Sequence, residues 1–417
     1  MSQEQETIRF GDLYLVPSRN GVSKPKRVRG EGFSMVNMGE LFKYDRICDD
    51  TPMELVPLTD TEKANSFLET NDLLFARQSL VAEGAGKCSQ FIGNSKETTF
   101  ESHLIRVRID PNKADPRFYY YYFTSPEGKV KTQSLVMQVA AAGIRGSELQ
   151  ELSIAYPKKS SQIKISKVLT QYDDLIENNL KRIKILEEMA QTIYNEWFVN
   201  FRFPGYEKVK LVDSKTDFGE IPEGWKIGTI EDIANLQSGY SFKSKNFDDS
   251  GGYQVITIKS VHDGQFKPES SNFVTSIPDK MPKHCILEDK DILLSLTGNV
   301  GRVCMVHGTN KLLNQRVAKI DPVSASHAYV YSLFRSKLLQ VKMQNISNGA
   351  AQQNLSPIQT VKLPHVVPGD YVLEMFEDLV SPMLDEVVNL NKQTTLLKDM
   401  RDLLIHKLVN GELEIKT

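Results

Sequence analysis

A long internal repeat dominates the sequence. Arg108-Ile109-Asp110-Pro111 returns as Lys319-Ile320-Asp321-Pro322, and each copy is followed by an aromatic-rich run that ends at Ser125 or Ser336. Downstream of each run lie a glycine-rich turn, a proline and a long heptad-patterned segment. Solenoid repeats have periods of about 20–50 residues, so a repeat this long is not a solenoid. It predicts a duplicated domain with its own helical arm, and hence a molecule with approximate two-fold symmetry.

Composition is that of a soluble protein with more than one core. The chain has 417 residues, of which 40% are hydrophobic and 25% charged, and its formal net charge is -2. That charge gives no global attraction to nucleic acid, although a basic face can be balanced by an acidic one. The four cysteines are far apart, and no signal peptide or membrane-length apolar run is present, so we expect reduced thiols in a cytoplasm. The seven histidines lack metal-ligand spacing, and we expect no metal site.

The repeat divides the chain into alternating modules and arms. We predict an α+β protein with two tandem mixed α/β modules, separated and braced by two long antiparallel coiled-coil helices. The antiparallel arrangement follows from the order module, arm, module, arm if the repeat has two-fold symmetry. The predicted segments are residues 1–157 (first module), 158–203 (first long helix), 204–219 (linker), 220–368 (second module), 369–411 (second long helix) and 412–417 (tail).

Each arm follows a heptad pattern that defines a seam between the two helices. Pro382 interrupts the second arm, and a proline inside a helix costs about 3 kcal/mol. Either the arm kinks there or a new helix begins, and we favour a new helix with Ser381 as its cap and Pro382 in its first turn. The predicted seam residues are Leu169, Tyr172, Ile176, Asn179, Ile183, Leu186, Ile193, Val380, Met383, Val387, Leu390, Leu397 and Leu404.

Asp115-Pro116 has the form of a helix N-cap and first helical residue, which predicts a helix through Phe118–Phe123. Its tyrosine cluster could stack on nucleic-acid bases. A buried amphipathic helix is favoured, because the second copy keeps aromatic residues at Tyr329, Tyr331 and Phe334.

Polar turns at similar places in both halves are candidates for DNA contact. Lysine and arginine in a flexible loop suit phosphate contacts, whereas asparagine and glutamine pair with adenine and arginine pairs with guanine. For any single residue, solvation or turn formation is the more ordinary role. The candidates are Lys26, Arg27, Arg29, Arg77, Gln78, Ser79, Arg145, Ser147, Asn299, Arg302, Asn314, Gln315, Arg316, Gln352, Gln353 and Asn354.

Two other functions remain open from the residues. Pro278-Asp279 followed by Glu288-Asp289-Lys290 has the residue order of a metal-dependent nuclease site, which would make the chain a stand-alone nuclease. The flanking charges, however, mark a polar turn that enters a strand at residues 292–294. The heptad arms alternatively suit a coiled-coil assembly or adaptor protein. No catalytic residues stand out.

The ordered set of motifs resembles a known family, the specificity (S) subunit of type I restriction–modification enzymes. The resemblance covers nearly the whole chain. Its motifs are Glu220-Ile221-Pro222-Glu223-Gly224-Trp225, Asp291-Ile292-Leu293-Leu294, Thr297-Gly298-Asn299-Val300-Gly301-Arg302, Asn354-Leu355, Leu363-Pro364 and the arm at residues 380–404.

The resemblance implies a non-catalytic DNA-binding subunit with two target-recognition domains. Each domain would recognise one half of a bipartite, asymmetric site in double-stranded DNA, and the helices would set the spacer. The implied partners are two methyltransferase (modification) subunits and restriction/translocase subunits. S-adenosylmethionine, ATP and Mg²⁺ would then bind to those partners, with no cofactor on this chain.

Overall fold

The computed structural model describes residues 6–79, 84–136, 142–243, 245, 247–268, 271–323, 326–347 and 353–415. The chain forms two compact units. The first contains Met1–Leu175 and Leu397–Thr417, and the second contains Ile176–Leu396. Each unit therefore includes one module and one part of each long helix.

The first unit combines short strands with short helices. Its strands are β1 (Thr7–Arg9), β2 (Tyr14–Asn20), β3 (Phe33–Val36), β4 (Arg46–Ile47), β5 (Glu54–Val56), β6 (Leu73–Ala76), β7 (Gln78–Ser79), β8 (Cys88–Phe91), β9 (Thr98–Phe100), β10 (Leu104–Ile109), β11 (Ala142–Gly143) and β12 (Ser153–Ala155). Its helices are α1 (Met38–Lys43), α2 (Asp60–Ser66), α3 (Pro116–Thr124), α4 (Pro126–Gln133), α5 (Gly146–Leu149) and the beginning of α6 (Lys159–Tyr194).

The second unit has the same kinds of element. Its strands are β13 (Leu211–Asp213), β14 (Glu220–Pro222), β15 (Lys226–Thr229), β16 (Ala234–Ser238), β17 (Tyr253–Ile256), β18 (Val261–His262), β19 (Gln265–Phe266), β20 (Phe273–Val274), β21 (Ile286–Leu287), β22 (Ile292–Ser295), β23 (Val303–Met305), β24 (Lys311–Leu313), β25 (Val317–Pro322) and β26 (Pro364–Val367). Its helices are the remainder of α6, α7 (His327–Arg335), α8 (Lys337–Ile346), α9 (Pro357–Val361) and most of α10 (Asp370–Val409), whose C-terminal end belongs to the first unit.

Sheet topology confirms the duplication. The main sheet has the order β2-β10-β6-β8-β4 in the first unit and β16-β25-β22-β23 in the second, so the first four strands correspond one to one. A smaller sheet in each unit contains a parallel pair, β3 with β9 and β17 with β24. The closing strands also correspond, because β1 pairs with β12 and β15 pairs with β26. The predicted α+β class and tandem modules are therefore confirmed.

Aromatic side chains form the core of each unit. The predicted cap is confirmed at α3, where the Asp115 carboxylate accepts a hydrogen bond from the Arg117 backbone N–H at 3.0 Å and Pro116 occupies the first turn. The tyrosines of α3 are buried, so they pack in the core rather than offering bases a stacking surface. Phe10 and Phe123 lie 4.7 Å apart by ring centroid.

The long helices run antiparallel within the second unit. α6 continues into a π-helical turn at Asn195–Val199. Arg182 of α6 forms an ion pair with Glu386 of α10 at 2.5 Å, whereas Trp197 lies 5.7 Å from Phe376 by ring centroid. Residue numbers thus rise along α6 as they fall along α10. α10 ends at Val409, and Gly411 just beyond it has a φ of 73°, which suits the left-handed position after a helix.

The expectation of a new helix at Pro382 is wrong. α10 is continuous from Asp370 to Val409, with Pro382 inside it. The proline is exposed, so water can reach the backbone carbonyl that loses its hydrogen-bond donor. On the opposite face, Val380 and Leu384 are fully buried. Their packing offsets the local cost of the proline and keeps the helix intact on both sides of it.

The rest of the described chain gives few special features. No helix in it is long and apolar enough to cross a membrane. All four cysteines are free thiols, of which Cys88, Cys285 and Cys304 are buried.

Candidate nucleic-acid interface

Two turns predicted as DNA-contact candidates lie side by side in the first unit. β7 and β11 pair antiparallel, with Gln78 opposite Gly143. The Ile144 backbone N–H extends this pairing by donating to the Arg77 carbonyl oxygen at 2.9 Å. We call residues 77–79 and 143–147 the first loop platform. Gln78 and Arg145 are both exposed on it.

A short helix fixes the second turn of this platform. At the start of α5, the Arg145 backbone N–H donates to the Glu148 carboxylate at 3.1 Å. The Arg145 side chain is 68% exposed and its guanidinium is 4.0 Å from Glu148. An exposed pair of this length contributes little to stability, so the guanidinium remains available to a ligand. Ser147 is also exposed.

Three predicted turns come together in the second unit. Thr297 and Asn354 form an isolated antiparallel bridge, the counterpart of the β7–β11 pair. The Gly298 N–H donates to the Gln353 carbonyl at 3.2 Å, and the Leu296 N–H donates to the Arg316 carbonyl at 3.0 Å. We call residues 296–302, 314–316 and 353–355 the second loop platform.

The second loop platform surrounds an open depression of about 350 Å³. Amide and guanidinium side chains dominate its wall, and no acidic side chain is found among the described residues that line it. A surface of this kind offers paired donors and acceptors to base edges without repelling phosphates. Its lining residues are Leu296, Thr297, Gln315, Arg316, Gln353 and Asn354.

A tight loop holds Asn299 and Arg302 beside this depression. The Ser295 hydroxyl donates to the Asn299 carbonyl at 2.5 Å and accepts from the Arg302 N–H at 3.0 Å. Gly298 and Gly301 have φ values of 73° and 83°, which favour glycine. Asn299 and Arg302 line a second depression of about 330 Å³.

Asn314 has a turn-forming role. Its side-chain oxygen accepts a hydrogen bond from the Arg316 backbone N–H at 3.3 Å. This Asx turn leaves the side chains of Gln315 and Arg316 exposed. Gln352, another predicted candidate, lies outside the described residues.

The basic residues between Lys24 and Arg29 in the first module differ in whether their charges are paired. Arg29 is engaged by Glu54 and by the Asn37 side chain, and Lys24 pairs with Glu62 at 2.8 Å. Lys26 and Arg27 are exposed in a 3-10 turn. Only part of the predicted basic loop therefore presents uncompensated charge.

Sequence reasoning missed His103. It is 53% exposed, its ring lies 3.3 Å from the Glu101 carboxylate, and its carbonyl accepts from the Arg77 N–H at 2.8 Å. It thus belongs to the edge of the first loop platform. No local motif marks it, because only the pairing of β10 with the loop after β6 brings it there.

Buried polar clusters attach each module to a long helix. In the first unit, the Tyr121 hydroxyl donates to Asp173 at 2.6 Å, and Arg401 pairs with Asp173 at 2.6 Å. In the second unit, the Tyr331 hydroxyl donates to Glu187 at 2.7 Å, and Glu187 also pairs with Arg335.

The predicted seam residues lie along the inner faces of α6 and α10. Each of them is buried or half-buried. Asn179 is 6% exposed, so it lies within the packed surface.

The residues of the alternative nuclease site have structural partners. Lys290 forms an ion pair with Asp385 at 2.5 Å, and Asp289 pairs with Lys392, so both attach a turn to α10. Asp279 is exposed and lies earlier in the sequence, outside the turn that contains Asp289 and Lys290. Among the described residues, no group of three or more histidine, cysteine, aspartate or glutamate side chains could hold a metal ion.

A family model matches both halves of the chain. The type I restriction modification DNA specificity domain is found at residues 27–188 and again at residues 222–365. The two matches together span well over half of the sequence and fall on the two structural modules. The chain belongs to this family.

Relatives and solved structures agree with this assignment. The type I restriction enzyme MjaIX specificity subunit of Methanocaldococcus jannaschii is 29% identical over 337 residues, covering 78% of this chain and 76% of the relative. The HindI specificity subunit of Haemophilus influenzae is 22% identical over 417 residues, covering 84% and 88%. The crystal structure of a type I restriction–modification S subunit from M. genitalium aligns with a TM-score of 0.59 at 16% identity, covering 98% and 96% of the two chains. That structure supports the fold.

Proposed function

We propose that the chain is the DNA-specificity subunit of a type I restriction–modification complex, and that each unit recognises one half of a bipartite, asymmetric DNA site. The observation that carries this proposal is the paired family match, which falls on two modules with corresponding sheets. Each module also presents a loop platform at the same place in its fold.

The two platforms explain why the halves of the site would differ. Arg77, Gln78 and Arg145 belong to the first, whereas Arg316 and Asn354 belong to the second. Different side chains in equivalent backbone positions present different hydrogen-bonding patterns to the groove. An asymmetric target follows naturally from one chain with two unlike reading surfaces.

As a specificity subunit, the chain carries recognition and not catalysis. It works in a complex with other restriction–modification subunits and DNA. We infer that two methyltransferase subunits dock on it and that restriction/translocase subunits join them. S-adenosylmethionine, ATP and Mg²⁺ then belong to those partners. Exposed apolar side chains on the long helices, such as Leu175, Ile185 and Leu396, are available for such docking.

Module exchange tests the proposal. Residues 1–157 are replaced by the equivalent module of a relative with a different target, and methylated adenines are mapped in the host genome. We expect one half of the recognised sequence to change and the other to stay. A change in both halves, or no sequence-specific methylation that depends on this gene, would contradict the proposal.

Salt dependence gives a second readout. Binding of the assembled complex to duplex DNA is expected to weaken steeply between low and moderate salt, because lysine and arginine contacts to phosphates release counterions. The purified chain by itself is expected neither to cut nor to methylate DNA. Magnesium-dependent cleavage that is lost in Lys290→Ala would instead support the nuclease alternative.

A further inference from the structure

The first loop platform rests on two backbone hydrogen bonds that share one residue. The Arg77 N–H donates to the His103 carbonyl at 2.8 Å, and the Arg77 carbonyl accepts from the Ile144 N–H at 2.9 Å. Arg77 therefore lies between the loop that precedes β10 and the segment that precedes α5.

The second loop platform repeats this frame. The Leu296 N–H donates to the Arg316 carbonyl at 3.0 Å, and the Leu296 carbonyl accepts from the Leu355 N–H at 2.8 Å. Leu296 follows β22 as Arg77 follows β6, and these strands correspond in the two sheets. The frame thus equates Arg316 with His103, although their sequence surroundings differ.

Cross-strand partners support the same alignment. Gln78 is paired with Gly143 in the first unit, and Thr297 is paired with Asn354 in the second. Gln78 directly follows Arg77, just as Thr297 directly follows Leu296. The two platforms therefore share a backbone and differ in side chains.

Hydrogen bonds fix the backbone of Arg316, whereas its side chain is exposed. Its N–H donates to the Asn314 side chain, and its carbonyl accepts from Leu296. The side chain is exposed and has no hydrogen bond or ion pair with any other described residue. Arg302, by comparison, is half-buried. An unpaired guanidinium on a fixed backbone loses little conformational entropy and gives up no existing hydrogen bond when it binds a planar partner.

Guanine is the base that such a guanidinium recognises best. Two N–H groups of arginine match O6 and N7 of guanine in the major groove. Nearby Gln315, Gln353 and Asn354 bring amides that line the same depression, and no described acidic side chain lies among them. An arginine used only for phosphate contact would not need neighbours with paired donors and acceptors.

We propose that Arg316 recognises a guanine in the half-site bound by the second unit, and that His103 determines the base at the equivalent position of the other half-site. This inference rests on the proposed function, since it assigns particular residues to the two reading surfaces. It makes residues 103 and 316 specificity-determining positions.

The test uses the full-length chain assembled with its methyltransferase subunits. Arg316→Ala and Arg316→Lys are compared with the wild type by mapping methylated adenines and by measuring binding to duplexes with single base-pair changes. Arg202→Ala is the matched control, because Arg202 is an exposed arginine of the same unit that lies outside the platform and pairs with Glu196.

Arg316→Ala should lose discrimination at one G·C pair of the second half-site by about 10- to 100-fold, with the first half unchanged. Arg316→Lys keeps the charge but lacks the planar pair of donors, so it should recover overall affinity more than discrimination. The control should keep the full recognition sequence.

Two results would overturn the proposal while leaving the proposed function intact. One is uniformly weaker binding with an unchanged recognition sequence, which would make Arg316 a phosphate contact. The other is a change in both half-sites. If the complex with Arg316→Ala methylates no DNA, the Arg316→Lys variant provides the test. An unchanged recognition sequence in that variant would reject guanine recognition. Absence of a bipartite sequence in the wild type would reject the proposed function itself.

His103→Ala tests the equivalence of the two positions. It should relax one base pair of the first half-site and leave the second half-site unchanged. A first half-site that is unaltered by this substitution would reject the assignment of His103.

Discussion

In each unit, the attachment of the module to a long helix depends on one buried carboxylate. Asp173 is 3% exposed and accepts hydrogen bonds from Tyr121 and Arg401. Glu187 has the same role toward Tyr331 and Arg335 in the second unit. Buried carboxylates of this kind tolerate no loss of their partners, because an unpaired buried charge is costly.

Removing one of these carboxylates should destabilise the chain. Asp173→Ala leaves the Arg401 guanidinium, whose side chain is 14% exposed, without its main partner. We expect a loss of about 3 kcal/mol in the free energy of unfolding, measured by urea denaturation of the full-length chain. Glu188→Ala is the control, because its pair with Lys184 is exposed and should change stability by less than about 0.5 kcal/mol. Equal effects of the two substitutions would contradict this role.

His365 predicts an acid sensitivity of the second unit. Burial, followed by the nearby charge of Lys342, lowers the pKa of His365 from 6.5 to about 4, and its ring is hydrogen-bonded to the Tyr329 hydroxyl at 2.5 Å. The folded state therefore keeps the ring neutral, whereas the unfolded state takes up a proton below pH 6.5. The stability linked to this group is complete above pH 6.5 and is lost as the pH falls toward 4.

A pH series of melting temperatures checks this. The wild type should lose stability on the order of 3 kcal/mol between pH 6.5 and 4 through this group, because one pKa unit corresponds to about 1.4 kcal/mol. His365→Gln should be less stable at pH 7 but show a weaker pH dependence in that interval. Parallel curves for the two proteins would show that His365 is not the sensitive group.

At the scale of elements, packing overrides local preference in the long helices. Pro382 is unfavourable within a helix, yet α10 continues through it because Val380, Leu384 and Val387 are buried on the other face. Helical stability in proteins comes mostly from such packing of an apolar face. The proline thus weakens α10 locally without ending it.

Pro382→Ala should therefore stabilise the protein. The exposed alanine restores one backbone hydrogen bond and removes the ring, which predicts a gain of about 1–3 kcal/mol in the free energy of unfolding. Gln393→Ala, at an exposed position of the same helix, should stay within about 0.5 kcal/mol. A destabilised Pro382→Ala protein would mean that a bend at this position is needed for packing.

At the scale of the whole molecule, α6 and α10 each contribute residues to both units. α6 passes from the first unit to the second after Leu175, and α10 returns to the first after Leu396. Because both helices connect the two units along the chain, we propose that they set the spacer between the two half-sites.

A heptad insertion tests that role. Seven residues placed after Leu175 and seven after Leu396 add about 10 Å to each helix. The preferred spacer of the recognised site should lengthen, while the two half-site sequences stay the same. A control that inserts seven residues into the linker at residues 204–219 should leave the spacer as it was. An unchanged spacer in the helix variant, seen by methylation mapping, would reject the proposal.

Duplication, helix pattern and turn chemistry were accessible from sequence because they are local or periodic. Asp115-Pro116 predicted the start of α3, the heptads predicted α6 and α10, and the repeated order of motifs indicated tandem modules and the family. Each of these signals depends on neighbouring residues or on a fixed spacing.

The loop platforms were decided by tertiary structure. Residues far apart in sequence, such as Thr297 and Asn354, meet because sheet pairing brings their strands together, and no spacing rule encodes that meeting. His103 is a second example, because only a backbone hydrogen bond to Arg77 places it at the first loop platform. The continuity of α10 through Pro382 is a third, because it depends on the packing of the buried face of the helix. Local sequence patterns identified the candidate side chains. Which of these side chains share a surface depends on long-range packing, which sums many weak contacts.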